Sequence, residues 1–115
     1  IRVVSNSGQN LRLHPDTGAV VDGNATVDGL QTDGALAYAV GDANFGRLAS
    51  TVGAAYSYNK ADPKITTNFA LDAATGALVT QGSREGVMPA VSPNTGQLFT
   101  VGTTNMVFST AAFDI

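Results

Sequence analysis

The sequence contains no cysteine, which excludes disulfides, thiol chemistry and cysteine metal sites. Charged residues are also scarce: they make up 13% of the 115 residues, about half of the ~25% found in ordinary domains. The net charge is −3, and the six Lys and Arg residues are not clustered. We therefore expect no nucleic-acid partner, because nucleic-acid binding needs a basic patch.

Long hydrophobic runs are missing as well. No apolar stretch approaches the ~20 residues that span a bilayer, so we expect no membrane insertion, and no signal peptide is visible. The sequence begins at Ile1, inside a predicted strand and without Met. This start leads us to expect that a leader has been removed or that the chain is one part of a longer product.

Residues that carry catalysis are few. His14 is the only histidine and precedes the turn Pro15-Asp16, so we interpret it as a solvated turn residue. Glu85 is the only glutamate, and the eight aspartates stand largely beside turn Gly or Pro. No nucleophile, base and orienting residue can be assembled from this set, so we expect a protein that is not an enzyme and needs no cofactor.

What the sequence does contain is one turn pattern, three times. An apolar residue, a four-residue turn ending in Thr-Gly and further apolar residues occur as LHPDTGAVV at 13–21, LDAATGALV at 71–79 and VSPNTGQLF at 91–99. Glycine adopts the positive φ that such turns require, and the short polar residues before it hydrogen-bond to their own backbone. Each copy therefore predicts a β-hairpin.

These hairpins predict a single all-β domain over residues 1–115. We expect antiparallel meanders of three strands at about 1–22, 51–81 and 87–115, and a long irregular insertion at about 23–50. In the first meander, Leu11 and Leu13 are predicted to face inward and Asn10 and Arg12 outward. The meanders resemble propeller blades or the sheets of a sandwich. Three blades do not close a propeller, so either the rest comes from elsewhere or the meanders form a sandwich.

The stretch IRVVSNSGQNLRLHPDTGAV at residues 1–20 resembles a secreted bacterial family known as domain of unknown function 4394. Similar matches are ALAYAVGDAN at 35–44, GAAY at 53–56 and FDI at 113–115, with departures at Ser7 and His14. The resemblance implies an all-β fold and a secreted setting, but no activity. It also implies that the chain is the C-terminal portion of that domain and finds its missing neighbours in another copy or a partner.

Three local features are candidates for binding or modification. Asp42 and Asn44 open a D-x-N-x-G pattern that resembles a calcium loop, although the twelfth position is Gly53 and not the expected Glu. Asn24 begins the single N-glycosylation sequon. The three tyrosines, Tyr38, Tyr56 and Tyr58, form a possible sugar-stacking platform, with half-buried packing as the alternative.

The strand edges carry little protection. Natural sheets guard their edges with lysines, prolines or bulges, yet the two lysines, Lys60 and Lys64, share one loop. The terminal segments 1–4 and 106–115 are predicted strands with one charge each, Arg2 and Asp114. We therefore predict assembly edges at Ile1, Val3, Met106, Phe108 and Ile115. The alternative is that one closed fold covers both edges.

The resulting hypothesis is a non-enzymatic, extracellular or cell-surface structural protein. Its copies would pair strand edges and assemble into a surface or matrix fibre, so that other copies of the chain are its partners. Low charge favours this association because it removes repulsion between copies. The alternative is a monomeric, propeller-like module that binds a glycan or a peptide through residues 22–50 and the tyrosines.

Overall fold

The computed structural model describes residues 1–62 and 65–115, which are almost entirely β. Within these ranges seven strands form: β1 Arg2–Val4, β2 Asn10–Arg12, β3 Ala37–Tyr38, β4 Thr51–Tyr56, β5 Asn68–Asp72, β6 Ala77–Gln81 and β7 Gln97–Thr103. A short 3₁₀ helix occupies Pro93–Thr95. The predicted all-β fold class is confirmed. Pro63 and Lys64, which belong to the predicted loop before β5, lie outside the described residues.

The larger sheet has five strands in the order β3-β7-β6-β5-β4. Strands β4 to β7 follow one another as an antiparallel meander, and the two-residue β3 pairs in parallel with β7. A four-stranded antiparallel meander is the topology of a propeller blade. Three of its strands, β4, β5 and β6, lie in the predicted meander at 51–81.

The third predicted meander, at about 87–115, does not form. Its middle strand is β7, which extends the second meander by pairing with β6. Residues 87–91 and 106–115 form no strand. Pro89 supplies no backbone donor in the first of these regions, which explains why no ladder forms there. Buried Leu98 favours the pairing of β7 with β6, because it brings this side chain into the apolar core.

The first meander is a two-stranded sheet with one further contact. Strands β1 and β2 pair from Arg2↔Arg12 to Val4↔Asn10, and the predicted third strand is reduced to the bridge Leu13↔Val20. The predicted facing of β2 is wrong. Asn10 is only 2% exposed and Arg12 is half-buried, because both side chains have hydrogen-bond partners inside the molecule.

The three turn motifs share one hydrogen-bond design. The side chain of the first turn residue accepts from the backbone N–H two residues later: Asp72 from Ala74 at 3.0 Å, Ser92 from Asn94 at 3.2 Å and His14 from Asp16 at 3.3 Å. The turn in each motif ends in a glycine of positive φ. Only the central motif joins two full strands, β5 and β6; the third forms the 3₁₀ helix instead of a hairpin.

The core lies on one face of the five-stranded sheet. It consists of six buried apolar side chains: Leu36, Tyr38, Ala70, Ala77, Val79 and Leu98. Val4 of β1 packs against them, so the small sheet covers this face. The same face carries the buried polar side chains of Asn68, Asp72 and Gln81. The interior is therefore part apolar and part hydrogen-bonded.

The predicted irregular insertion at about 23–50 contains one short element, β3, and otherwise turns. β3 settles the alternatives for residues 35–40 in favour of a short strand. Among the described residues, no helix has the length and apolar character needed to cross a membrane.

Candidate functional site

The longest open edge of the larger sheet is the outer side of β4. β4 stands last in the strand order, so its outer edge pairs with no strand of the described residues. Its sequence, TVGAAY, contains no charged residue and no proline. At the opposite edge, β3 has two residues, and the adjacent Leu36 N–H donates to the carbonyl of Gly8 at 2.8 Å. β4 is therefore the edge with the least protection.

A segment without backbone partners lies beside β4. We call residues 106–115 the closing segment. The last backbone hydrogen bond before it runs from Thr104 N–H to the Gly76 carbonyl at 2.8 Å. Within the described ranges, the closing segment makes no hydrogen bond to any residue before Thr104. The closing segment is therefore held to the rest of the described chain by apolar contact.

The contact between the closing segment and β4 is centred on Gly53. A Cβ at Gly53 would lie 2.9 Å from Phe113 Cβ and 3.7 Å from the Ala111 carbonyl oxygen. Glycine is thus what allows Phe113 to lie against the strand. Phe113 and Ala111 are half-buried, whereas Val107 is fully exposed.

An open cleft separates β4 from β1. Its volume is about 420 Å³, and it is lined by Val4, Ser5, Asn6, Thr51, Val52, Ser109, Thr110 and Ala111. Two strands that belong to different sheets and the closing segment therefore meet at one opening.

The structure places the five predicted edge residues differently. Val3 lies on β1, which pairs with β2 alone, and is 40% exposed; Ile1 precedes it and is 69% exposed. Met106 and Ile115 are exposed and Phe108 is half-buried, but all three lie in the closing segment, where the predicted strand is absent. Sequence reasoning overlooked the edge at β4. The missing signal was the lack of any charge or proline between residues 51 and 56.

At the other end of β1, two arginines enclose a buried carboxylate. Asp33 is fully buried at its side chain and accepts from Arg2 Nη1 at 3.1 Å and from Arg12 Nε at 2.8 Å. The side chain of Arg2 is only 6% exposed, and that of Arg12 is 30% exposed. The hydrogen bonds to Asp33 raise the pKa of Arg12. We call Arg2, Arg12 and Asp33 the arginine cluster.

Buried amides connect the arginine cluster to the larger sheet. Arg2 Nη1 donates to Asn10 Oδ1, which also accepts from Gln81 Nε2 at 2.8 Å. Gln81 Oε1 in turn accepts from Asn68 Nδ2 at 3.0 Å. Asn68 Oδ1 is buried and has no partner among the described residues. This series of hydrogen bonds fixes the position of the small sheet on the large one.

The tyrosines do not form one platform. Tyr38 is 4% exposed, and its hydroxyl binds Asp72 and Thr75, so it belongs to the core. Desolvation and the Asp72 hydrogen bond raise the pKa of Tyr38. Tyr56 accepts from Arg2 Nε at 2.8 Å, and Tyr58 is 80% exposed beyond the end of β4.

Tyr56 borders an open groove on the outer side of the arginine cluster. The groove measures about 380 Å³ and is lined by Ile1, Arg2, Arg12, Leu13, Val21 and Tyr56. It combines an aromatic side chain, apolar walls and the partly exposed guanidinium of Arg12. Such a combination is suited to a small amphipathic ligand.

Asp42 and Asn44 anchor their loop to β7. Asp42 Oδ2 accepts from Thr100 N–H at 2.6 Å, and Asp42 Oδ1 accepts from Asn44 N–H at 2.8 Å. Burial acts to raise the pKa of Asp42, but these hydrogen bonds outweigh it and hold the pKa below its usual value. Within the described ranges, no three His, Asp or Glu side chains gather as potential metal ligands. The calcium site stays a prediction.

The glycosylation candidate lies in an exposed turn. Asn24 Oδ1 accepts from Thr26 N–H at 3.2 Å and from Thr26 Oγ1 at 2.7 Å, so the sequon is folded on itself. Whether Asn24 carries a sugar stays a prediction. His14 is likewise exposed, 3.9 Å from the Asp16 carboxylate.

Comparison with known proteins identifies the family. No curated protein and no solved structure matches this chain. The family model described as a domain of unknown function, DUF4394, matches residues 1–115, which is the whole chain. The resemblance noted in the sequence is thereby confirmed, and the chain belongs to the DUF4394 family.

Proposed function

We propose that this chain is a non-enzymatic, extracellular structural protein whose copies assemble by pairing strand edges. The observation that carries the proposal is the outer edge of β4, six residues long, uncharged and without a strand partner among the described residues. Unprotected edges of this kind accept a strand from another chain. A contact between two different edges repeats from copy to copy and builds a fibre unless it closes into a ring.

The distribution of charge supports the same proposal. The chain has six basic and nine acidic residues, and none of them lies on β4. Two of its four arginines bind Asp33 in the arginine cluster, Arg2 buried and Arg12 half-buried. Little like-charge repulsion therefore opposes the approach of two copies at β4.

A pair of valines offers a matched test. Val52 on the edge strand β4 and Val101 on β7 both lie where the strand register shifts. In Val52→Lys the new charge enters the cleft beside β1, whereas in Val101→Lys it lies on β7, three strands away from β4. We expect Val52→Lys to abolish assembly and Val101→Lys to retain it.

The measurement is light scattering over a wide range of protein concentration, with negative-stain electron microscopy of the same samples. The unmodified chain should increase in mass with concentration and form filaments or large uniform particles. Small monodisperse particles at every concentration would contradict the proposal.

The groove beside Tyr56 favours a second candidate function. A monomeric module that binds a glycan or a peptide would use this groove and the exposed Tyr58. Under that function the chain remains monomeric and binds at least one glycan or peptide from a panel. Tyr58→Ala should abolish that binding. The two candidates are separated by the scattering experiment, because only the first requires a rise in mass.

A further inference from the structure

We propose that the closing segment is exchanged between copies, leaving Gly53 of its own chain and seating Phe113 on Gly53 of a second copy. This inference rests on the proposed assembly and names the segment that joins one copy to the next. Exchange of an element between identical chains needs no new interface, because the contact seen within one chain is repeated between two.

The closing segment is held weakly enough to leave. It makes no hydrogen bond to any described residue before Thr104, so its departure breaks no backbone ladder. Phe108, Ala111 and Phe113 are only half-buried. Segments with few buried contacts and without ladder hydrogen bonds open at free energies far below that of global unfolding.

A hinge lies where the segment begins. Strand β7 ends at Thr103, and Thr104 is fixed to the Gly76 carbonyl by its N–H at 2.8 Å and its hydroxyl at 2.9 Å. The next residue, Asn105, has φ of 56°, a left-handed conformation that Asn tolerates better than most residues. A change of backbone angle at Asn105 redirects the closing segment without disturbing β7.

The seat on β4 is specific for a segment like this one. A side chain at residue 53 would collide with Phe113, since its Cβ would lie 2.9 Å from Phe113 Cβ. Residues 106–113 carry no charge, and neither does β4, so no lysine repels an incoming segment. A second copy presents the same glycine beside the same open edge.

The absence of cysteine makes a crosslinking experiment clean, because every disulfide must arise from introduced residues. Val52→Cys and Ala111→Cys, whose side chains line the same cleft and which leave Gly53 and Phe113 intact, are prepared as separate proteins, mixed at a concentration where the native chain assembles, and oxidised mildly. We expect disulfides that join one chain of each kind, several-fold more abundant than disulfides between identical chains. Thr110→Cys, which lines the same cleft, replaces Ala111→Cys if that variant unfolds.

Val107→Cys is the matched control, because Val107 lies in the same segment but is fully exposed. Mixed with Val52→Cys, it should give only the yield of random collision. A yield from Ala111→Cys no higher than from Val107→Cys overturns the exchange.

Light scattering of the native chain separates the two proposals. If its mass rises while the crosslink stays at the control yield, edge pairing stands and exchange is wrong. If the mass stays constant and no crosslink forms, both are wrong. If the crosslink forms and Val52→Lys still assembles, exchange stands and pairing at β4 is wrong.

Discussion

The arginine cluster and the closing segment both hold distant parts of the chain together, but by opposite means. In the arginine cluster, a fully buried carboxylate binds two guanidinium groups at 2.8–3.1 Å, and Arg2 adds bonds to three further side chains. The closing segment lies on β4 through apolar contact without a single bond to that strand among the described residues. The first arrangement is rigid and directional, whereas the second can be released.

The difference shows where this chain uses its few charges. Hydrogen bonds and ion pairs fix the small sheet on the large one, because each is favourable only over a narrow range of distance and angle. Strand β4 at the open edge carries no charge, and the segment beside it carries only one, Asp114. The chain thus uses two of its four arginines in the arginine cluster and places none on β4.

The strongest test of this comparison is Asp33→Asn. The amide cannot bind two guanidinium groups as the carboxylate does, so Arg2 is left buried without its counter-ion. Breaking a buried ion pair in this way lowers the free energy of unfolding by about 3–5 kcal/mol. Urea unfolding followed by circular dichroism measures the loss.

Asp28→Asn is the control for Asp33→Asn. Asp28 is exposed, and within the described ranges its carboxylate makes no hydrogen bond, while its backbone carbonyl accepts from Gln31 Nε2 at 3.3 Å. We expect its unfolding to match the unmodified chain. Equal stability of both variants would show that the arginine cluster does not hold the sheets together.

Tyr38→Phe tests the buried hydroxyl in the core. Its loss removes the hydrogen bonds to Asp72 and Thr75, and the free energy of unfolding should fall by about 1–3 kcal/mol. Tyr58→Phe, at an 80% exposed position, should have no effect.

The pH dependence sharpens the same test. The pKa of Tyr38 is raised in the folded state, chiefly by desolvation and by its hydrogen bond to Asp72. Its contribution to stability is therefore complete below the ordinary tyrosine value of 10.0 and is lost as pH rises through the folded value. Tyr38→Phe should flatten the decline in unfolding free energy above about pH 10 relative to the unmodified chain. An unchanged decline in Tyr38→Phe would exclude this linkage.

Local chemistry was predictable from the sequence, and long-range pairing was not. The turn at 71–79 was predicted because Asp72, Thr75 and Gly76 specify it among themselves. The arginine cluster was missed because Arg2 meets Asp33 and Asn94 across 31 and 92 residues. The alternation of apolar and polar residues along β2 predicted that Asn10 faces outward. That prediction was wrong for the same reason, since such a pattern cannot reveal distant hydrogen-bond partners for a buried amide.

The predicted C-terminal strand does not form for a related reason, whereas the predicted strand at residues 1–4 does form, as β1. Residues 106–115 have the composition of a strand, yet a strand exists only where a neighbour completes its ladder. The described chain offers the closing segment a glycine seat and no ladder. Composition therefore predicted a strand at residues 106–115, where the single chain forms none.

The smallest expected effect belongs to the closing segment itself. Phe113→Ala removes a half-buried ring from Gly53, and at low protein concentration the free energy of unfolding should fall by only about 1 kcal/mol. Val107→Ala, at a fully exposed position, should leave it unchanged. Urea unfolding of both variants and of Asp33→Asn compares the closing segment and the arginine cluster by the same quantity, the free energy of unfolding. A loss in Phe113→Ala as large as that in Asp33→Asn would show a fixed segment, because one that contributes so much to its own chain could not be released to another.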